Sequence, residues 1–138
     1  MKNIILLLGI LLIATCSFAI NPPVAVQKAF AQKFAKAVDV KWGKESATEY
    51  EADFMLDGVK MSANFKADGT WVETETELSA AQLPSKVSSY ISTNCKGWEI
   101  AETAKLERPG KGIVYETNLK SGKKKKEVTL NADGVPVK

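Results

Sequence analysis

Apolar positions recur along this chain with two different periods. Val26, Phe30, Phe34 and Ala37 fall at helical spacing, with Gln27, Lys28, Gln32 and Lys36 on the other faces, which predicts an amphipathic helix. Pro22 and Pro23 suit its entrance, where an amide N–H would lack an intrahelical partner in any case. From Tyr50 the period becomes two: Tyr50, Ala52, Phe54 and Leu56 share one face of a strand, and Glu51 and Asp53 lie on the other. Asp57-Gly58 predicts a tight hairpin turn, after which Met61, Ala63 and Phe65 continue the apolar face. Asp68-Gly69 turns the chain again into a strand over 70–78. There Val72, Thr74, Thr76 and Leu78 alternate with Trp71, Glu73, Glu75 and Glu77.

The same succession then returns. Pro84, Val87, Ile91 and Cys95 answer Pro23, Val26, Phe30 and Phe34 at a constant offset. Tyr50-Glu51-Ala52-Asp53-Phe54 is answered by Tyr115-Glu116-Thr117-Asn118-Leu119, and Ala67-Asp68-Gly69 by Ala132-Asp133-Gly134. Matches in one order at nearly one spacing mark an internal repeat. Gly97 is placed to cap the second helix. Strands are predicted over 98–107, 113–120 and 124–131, with a Ser121-Gly122 turn and a short last strand after Gly134. One helix and about four antiparallel strands, twice, over 22–78 and 83–138, predict an α+β fold with both helices on one face of the sheet.

A different pattern precedes this. Met1-Lys2-Asn3 opens the chain with a positive charge, an apolar run follows from Ile4 to Ile13, and Ser17-Phe18-Ala19 supplies small residues at a cleavage site. That is the layout of a secretory signal peptide over 1–19, and the run is too short to span a bilayer. A lipoprotein signal through Cys16 is the weaker reading, because Thr15 fits poorly before a lipid-bearing cysteine. The expectation is a periplasmic or secreted domain over 20–138 with no transmembrane segment. Its single thiol, Cys95, can form no internal disulfide, and its place on the helix stripe predicts a buried packing role.

Composition narrows the chemistry. The 138 residues contain no histidine, which removes the commonest general base and metal ligand. Ser85-Lys86 is adjacent in sequence, so the two side chains diverge on a helix and make no nucleophile–base pair. Glu73, Glu75 and Glu77 lie side by side on one strand face rather than across a cleft. Ala-Asp-Gly is a turn signature without the ligand ladder of a calcium loop. No catalytic residue, metal or cofactor is expected. Net charge is only +3, too little, in an exported protein, to suggest a nucleic-acid partner. The charge is uneven, however: residues 20–79 carry 7 basic and 10 acidic side chains, residues 80–138 carry 11 and 6. The lysine run 123–126 is the densest feature, and lysines there also guard a strand against edge-to-edge pairing.

The ordered set of Pro23, Val26, Phe30 and Phe34, then Val40-Lys41-Trp42, Tyr50-Glu51-Ala52-Asp53-Phe54, Asn64-Phe65-Lys66-Ala67-Asp68-Gly69-Thr70-Trp71, Glu73-Thr74-Glu75 and Leu83-Pro84 resembles the PepSY-like, beta-lactamase-inhibitor-like family of small exported bacterial proteins. The resemblance covers essentially the whole chain after residue 19. It implies a tandem helix-plus-sheet fold like that of beta-lactamase inhibitor protein and an envelope or extracellular location. It brings no catalytic residues, and fold alone carries no function.

The resulting expectation is a non-catalytic binding module that presents the open sheet face to a protein or peptide of the cell envelope. Strand alternation places Glu51, Asp53, Trp71, Glu73 and Glu75 on that face, with Glu116 and Asn118 from the second unit, and makes Trp71 an aromatic anchor among carboxylates. The alternative is an inhibitor of an exported enzyme that inserts a hairpin loop, Asp57-Gly58 or Ser121-Gly122.

Overall fold

The computed structural model describes residues 20–137. The export-signal expectation for 1–19, Cys16 included, lies outside them. Helix α1 (Val24–Lys33) leads into strands β1 (Val38–Lys44), β2 (Glu49–Leu56), β3 (Val59–Lys66) and β4 (Trp71–Leu78). A 3-10 turn at Ala80–Gln82 and helix α2 (Ser85–Asn94) follow, then β5 (Glu99–Arg108), β6 (Gly112–Ser121) and β7 (Lys124–Asn131). All seven strands form one antiparallel sheet in the order β1-β2-β3-β4-β5-β6-β7. No helix among the described residues is long and apolar enough to cross a membrane.

Both helices begin just after a proline, Pro23 and Pro84, and both are ten residues long. They end one residue short of the last large member of the apolar stripe. Phe34 and Cys95 close them, each amide donating to the carbonyl oxygen of Phe30 or Ile91 at 2.8 Å. Asp57 and Gly58 both take positive φ, 50° and 80°, as a two-residue hairpin of the twist-matched type requires. The expected last strand is reduced to a single bridge between Leu130 and Pro136. Pro136 has no amide hydrogen to extend a ladder, and the Val137 amide instead reaches the Thr129 carbonyl at 3.0 Å.

The core is split in two, one part beneath each helix. Under α1, Val26, Phe30 and Phe34 meet Ala52, Phe54, Ala63 and Phe65. Under α2, Leu83, Val87, Ile91 and Cys95 meet Leu119 and Leu130. Cys95 is buried there, in the packing place its position on the stripe predicts. Between the two lies a seam of buried threonines, Thr74, Thr103 and Thr117. The Thr103 hydroxyl donates to the Leu78 carbonyl at 2.6 Å, which offsets part of the cost of burying it. Both sheet edges are protected from pairing: β1 bulges between Val38 and Lys41, and β7 carries the lysine run.

Candidate functional site

The helices cover one face of the sheet and leave the other open. Residue pairing fixes which side chains the open face carries. Glu51 lies opposite Asn64, which lies opposite Glu73; Asp53 lies opposite Ser62, which lies opposite Glu75. Glu75 continues to Leu106 and Glu77 to Ala104 on β5, and Ala104 continues to Glu116 on β6. This face forms a trough of about 330 Å³ whose lining reaches from Glu51 and Asp53 on β2 to Glu116 and Asn118 on β6. Lys60, Glu77 and Glu102 stand around one end of it. Its floor includes Ala104, 8% exposed.

The strand that supplies this floor is inverted relative to its neighbours. On β5 the apolar Ala104 and Leu106 point away from the helices, whereas Thr103, Lys105 and Glu107 share the helix side with Thr76 and Tyr115. That side of β5 lies over the seam between the two cores. Lys105 and Glu107 pair with each other there at 3.2 Å.

Carboxylates in the trough stand under electrostatic stress. Glu51 is pushed up to about 7, chiefly by burial and then by Asp53, Glu45 and Glu75, against a hydrogen bond from Ser62. Glu116 is also raised to about 7, by burial and then by Glu127 and Glu75. Burial raises Glu75 and Glu127 as well. Oε1 of Glu116 and Oδ1 of Asn64 are buried acceptors without a hydrogen-bond partner. Two cations temper the cluster: Arg108 forms an ion pair with Glu73, and Lys60 lies 3.7 Å from Glu77. Among the described residues, no three acidic or cysteine side chains converge in a way that could hold a metal ion.

The sign of the resulting pH dependence follows directly. A carboxyl whose folded pKa exceeds its unfolded value keeps its proton in the folded state while the unfolded chain has already lost it. Stability therefore falls as pH rises from about 4.5 to about 7. Both groups are partly exposed, so screening leaves about 1 kcal/mol each. Thermal unfolding followed at pH 5 and pH 8 is expected to show the higher midpoint at pH 5. Asp68 and Asp133, whose pKa values are lowered, oppose this only below the window. The Glu51→Gln, Glu116→Gln double variant should flatten the difference; an unchanged difference would place its source elsewhere.

Trp71 is not on this face. A bulge between Asn64 and Phe65 pairs Asn64 with Glu73 and Phe65 with Trp71, leaving Val72 as the extra residue. The inserted residue reverses the alternation, so Trp71 turns to the helix side and packs against the α1 core. Its indole N–H donates to Thr74 Oγ1 at 3.0 Å, and Lys33 Nζ stands 3.6 Å over the ring. Trp71 is a packing residue, and the expected aromatic anchor is withdrawn. Glu51, Asp53, Glu73 and Glu75 do share the open face. Lys60, Glu102 and Ala104 belong to the trough and were not singled out from sequence.

Known proteins share this architecture. A BLIP-like protein from Bacteroides fragilis NCTC 9343 is 26% identical, with a TM-score of 0.78 over 86% of this chain and 85% of the other. A DUF2874 family protein from Bacteroides ovatus ATCC 8483 is 24% identical, with a TM-score of 0.80 over 86% of each chain. A protein from Bacteroides eggerthii DSM 20697, named as one of the "putative periplasmic proteins", superposes with a TM-score of 0.79 at 18% identity, over 86% of this chain and 88% of the other. No curated protein matches the chain. The family model described as "Putative beta-lactamase-inhibitor-like, PepSY-like" matches residues 48–135, from the start of β2 through the last turn. The α+β tandem architecture and this match together make the chain a member of the PepSY-like, beta-lactamase-inhibitor-like family.

Proposed function

We propose that this protein is a non-catalytic, exported binding module that offers the open face of its sheet to a cationic protein or peptide of the cell envelope. The observation that carries this reading is the trough, where acidic side chains are crowded and half-buried at a cost to the fold. A folded protein that only needed solubility would spread those charges over solvated surface. Glu51, Asp53 and Glu75 meet the partner in this reading, and Glu73, held by Arg108, sets the rim. The N-terminal segment and the name of the Bacteroides eggerthii relative support a periplasmic or secreted location. The chain has no histidine, the commonest general base, which favours binding over catalysis.

Affinity capture from the envelope fraction of the source cells tests the proposal. Proteins retained by the wild type are expected to be lost with Glu51→Lys combined with Glu75→Lys. They should persist with Lys28→Glu combined with Lys36→Glu, which alters charge on the helix side. An identical set of captured proteins with the trough variant would overturn the reading.

A further inference from the structure

The β6–β7 hairpin is the counterpart of the trough in charge and carries its own unresolved repulsion. Its turn is the shortest kind, Gly122 and Lys123, because Ser121 pairs directly with Lys124. Lys120 then lies directly opposite Lys125, an arrangement of like charges that weakens a strand pair. Two lysines of the region are already engaged: Lys126 lies over the Trp98 ring at 4.6 Å, and Lys120 stands 3.6 Å from Glu99. Lys123, Lys124 and Lys125 are exposed and belong to none of the ion pairs among the described residues. The same chain thus holds a crowded acidic trough on β2–β6 and a narrow, crowded basic tip on β6–β7.

We infer that the trough receives the β6–β7 hairpin tip of a second copy of this chain. Each patch is self-repelling in a lone molecule, and docking one into the other relieves both. The trough and the tip are different surfaces, so the contact is heterologous. It runs head to tail and gives a ring if the rotation closes, or a chain of copies if it does not. Ala101 and Ala104 in the trough lining give the aliphatic stems of inserted lysines an apolar surface to lie on. Protonation of Glu51 and Glu116 weakens the contact; Asp53, Glu75, Glu77, Glu102 and Lys60 are the other charges lining the trough, and Glu73, Arg108 and Glu127 flank it. The inference rests on the trough being the docking surface of the proposed function, and it names a first occupant for it.

Sedimentation equilibrium of the protein tests it. At about 10 mM salt, where charges are felt over about 30 Å, the weight-average mass should reach at least twice that of one chain and rise with concentration. At about 1 M salt, where screening acts within about 3 Å, it should fall to that of one chain. Lys124→Glu with Lys125→Glu should be monomeric at low salt, as should Glu51→Lys with Asp53→Lys. Mixing these two variants in equal amounts should restore association, because the intact trough of one meets the intact tip of the other. Lys28→Glu with Lys36→Glu changes net charge as much as the tip variant and should still associate. A wild type that stays monomeric at low salt, or a helix-side variant that loses association as the tip variant does, would overturn the inference. Either result would leave the envelope-capture experiment free to succeed, so the two readings fail separately.

Discussion

Replacing Phe30 by alanine is expected to lower the unfolding free energy by about 3–5 kcal/mol. Phe30 is the hub of the core beneath α1. Its ring stands 5.0 Å from Phe54, 5.2 Å from Trp42, 5.4 Å from Phe34 and 6.3 Å from Phe65, mostly edge to face. Truncation removes the ring's own burial and leaves a gap lined by partners on three separate strands, which cannot all close in together. Aromatic pair energies of about 0.5–1.5 kcal/mol are lost with it. A domain of this size has about 5–15 kcal/mol in total, so the urea midpoint should drop by a large fraction of its value. Val24→Ala, on the same helix but 66% exposed, should move the midpoint little. If Phe30→Ala proves too unstable to purify, Phe30→Leu should show a smaller loss in the same direction. Equal midpoints for wild type and Phe30→Ala would mean that the helix stripe does not face the sheet.

The helix stripes were legible because they are local. Val26, Phe30 and Phe34, and likewise Val87, Ile91 and Cys95, all enter the core, and 3.6-residue periodicity is set by backbone geometry within one segment. The turns were legible for the same reason: Asp57-Gly58 and the Ala-Asp-Gly pair carry their conformation in their own residues. What escaped was cross-strand register. The bulge that turns Trp71 toward α1 depends on how Phe65 sits against β4, and no pattern inside 70–78 encodes that. Strand alternation held from Glu73 onward, so Glu73 and Glu75 share the face of Glu51 and Asp53 as expected, while Trp71, expected there too, lies on the far side of the inserted Val72 and faces α1.

The trough itself was out of reach for a further reason. Its lining is drawn from five neighbouring strands, β2 to β6, a property of the assembled sheet. Its floor includes Ala104 of the inverted β5, which with Leu106 resembles a core-facing pair in sequence. Inversion places Lys105 and Glu107 on the helix side, opposite Thr76 and Thr74, where the two charged groups pair with each other. The carboxylates were visible one by one as polar alternation; their burial, and after it their mutual crowding, which together raise Glu51 and Glu116 to about 7, exist only once the strands are side by side.

Gly134→Ala is the second substitution with a large expected effect, about 3 kcal/mol. Gly134 has φ of 73°, a conformation that costs a residue with a Cβ about 1–2 kcal/mol. A Cβ added there would also lie 2.5 Å from the Lys86 carbonyl oxygen and 2.9 Å from its carbon. Those are backbone atoms in the first turn of α2, so relief requires moving the helix off its core. Gly69 repeats the geometry in the first unit, with φ of 88° and an added Cβ 2.7 Å from the Ala25 carbonyl oxygen in the first turn of α1. The Ala-Asp-Gly turn is therefore the point where each helix start is seated against the sheet. Gly122 supplies the control, since its φ is 58° but nothing lies within 4 Å of the added atom. Gly122→Ala should cost only the conformational part, about 1 kcal/mol. Urea denaturation of the three alanine variants should rank Gly134 and Gly69 well above Gly122. Equal losses at all three would show that positive φ alone matters, and that the helix starts are not held by these turns.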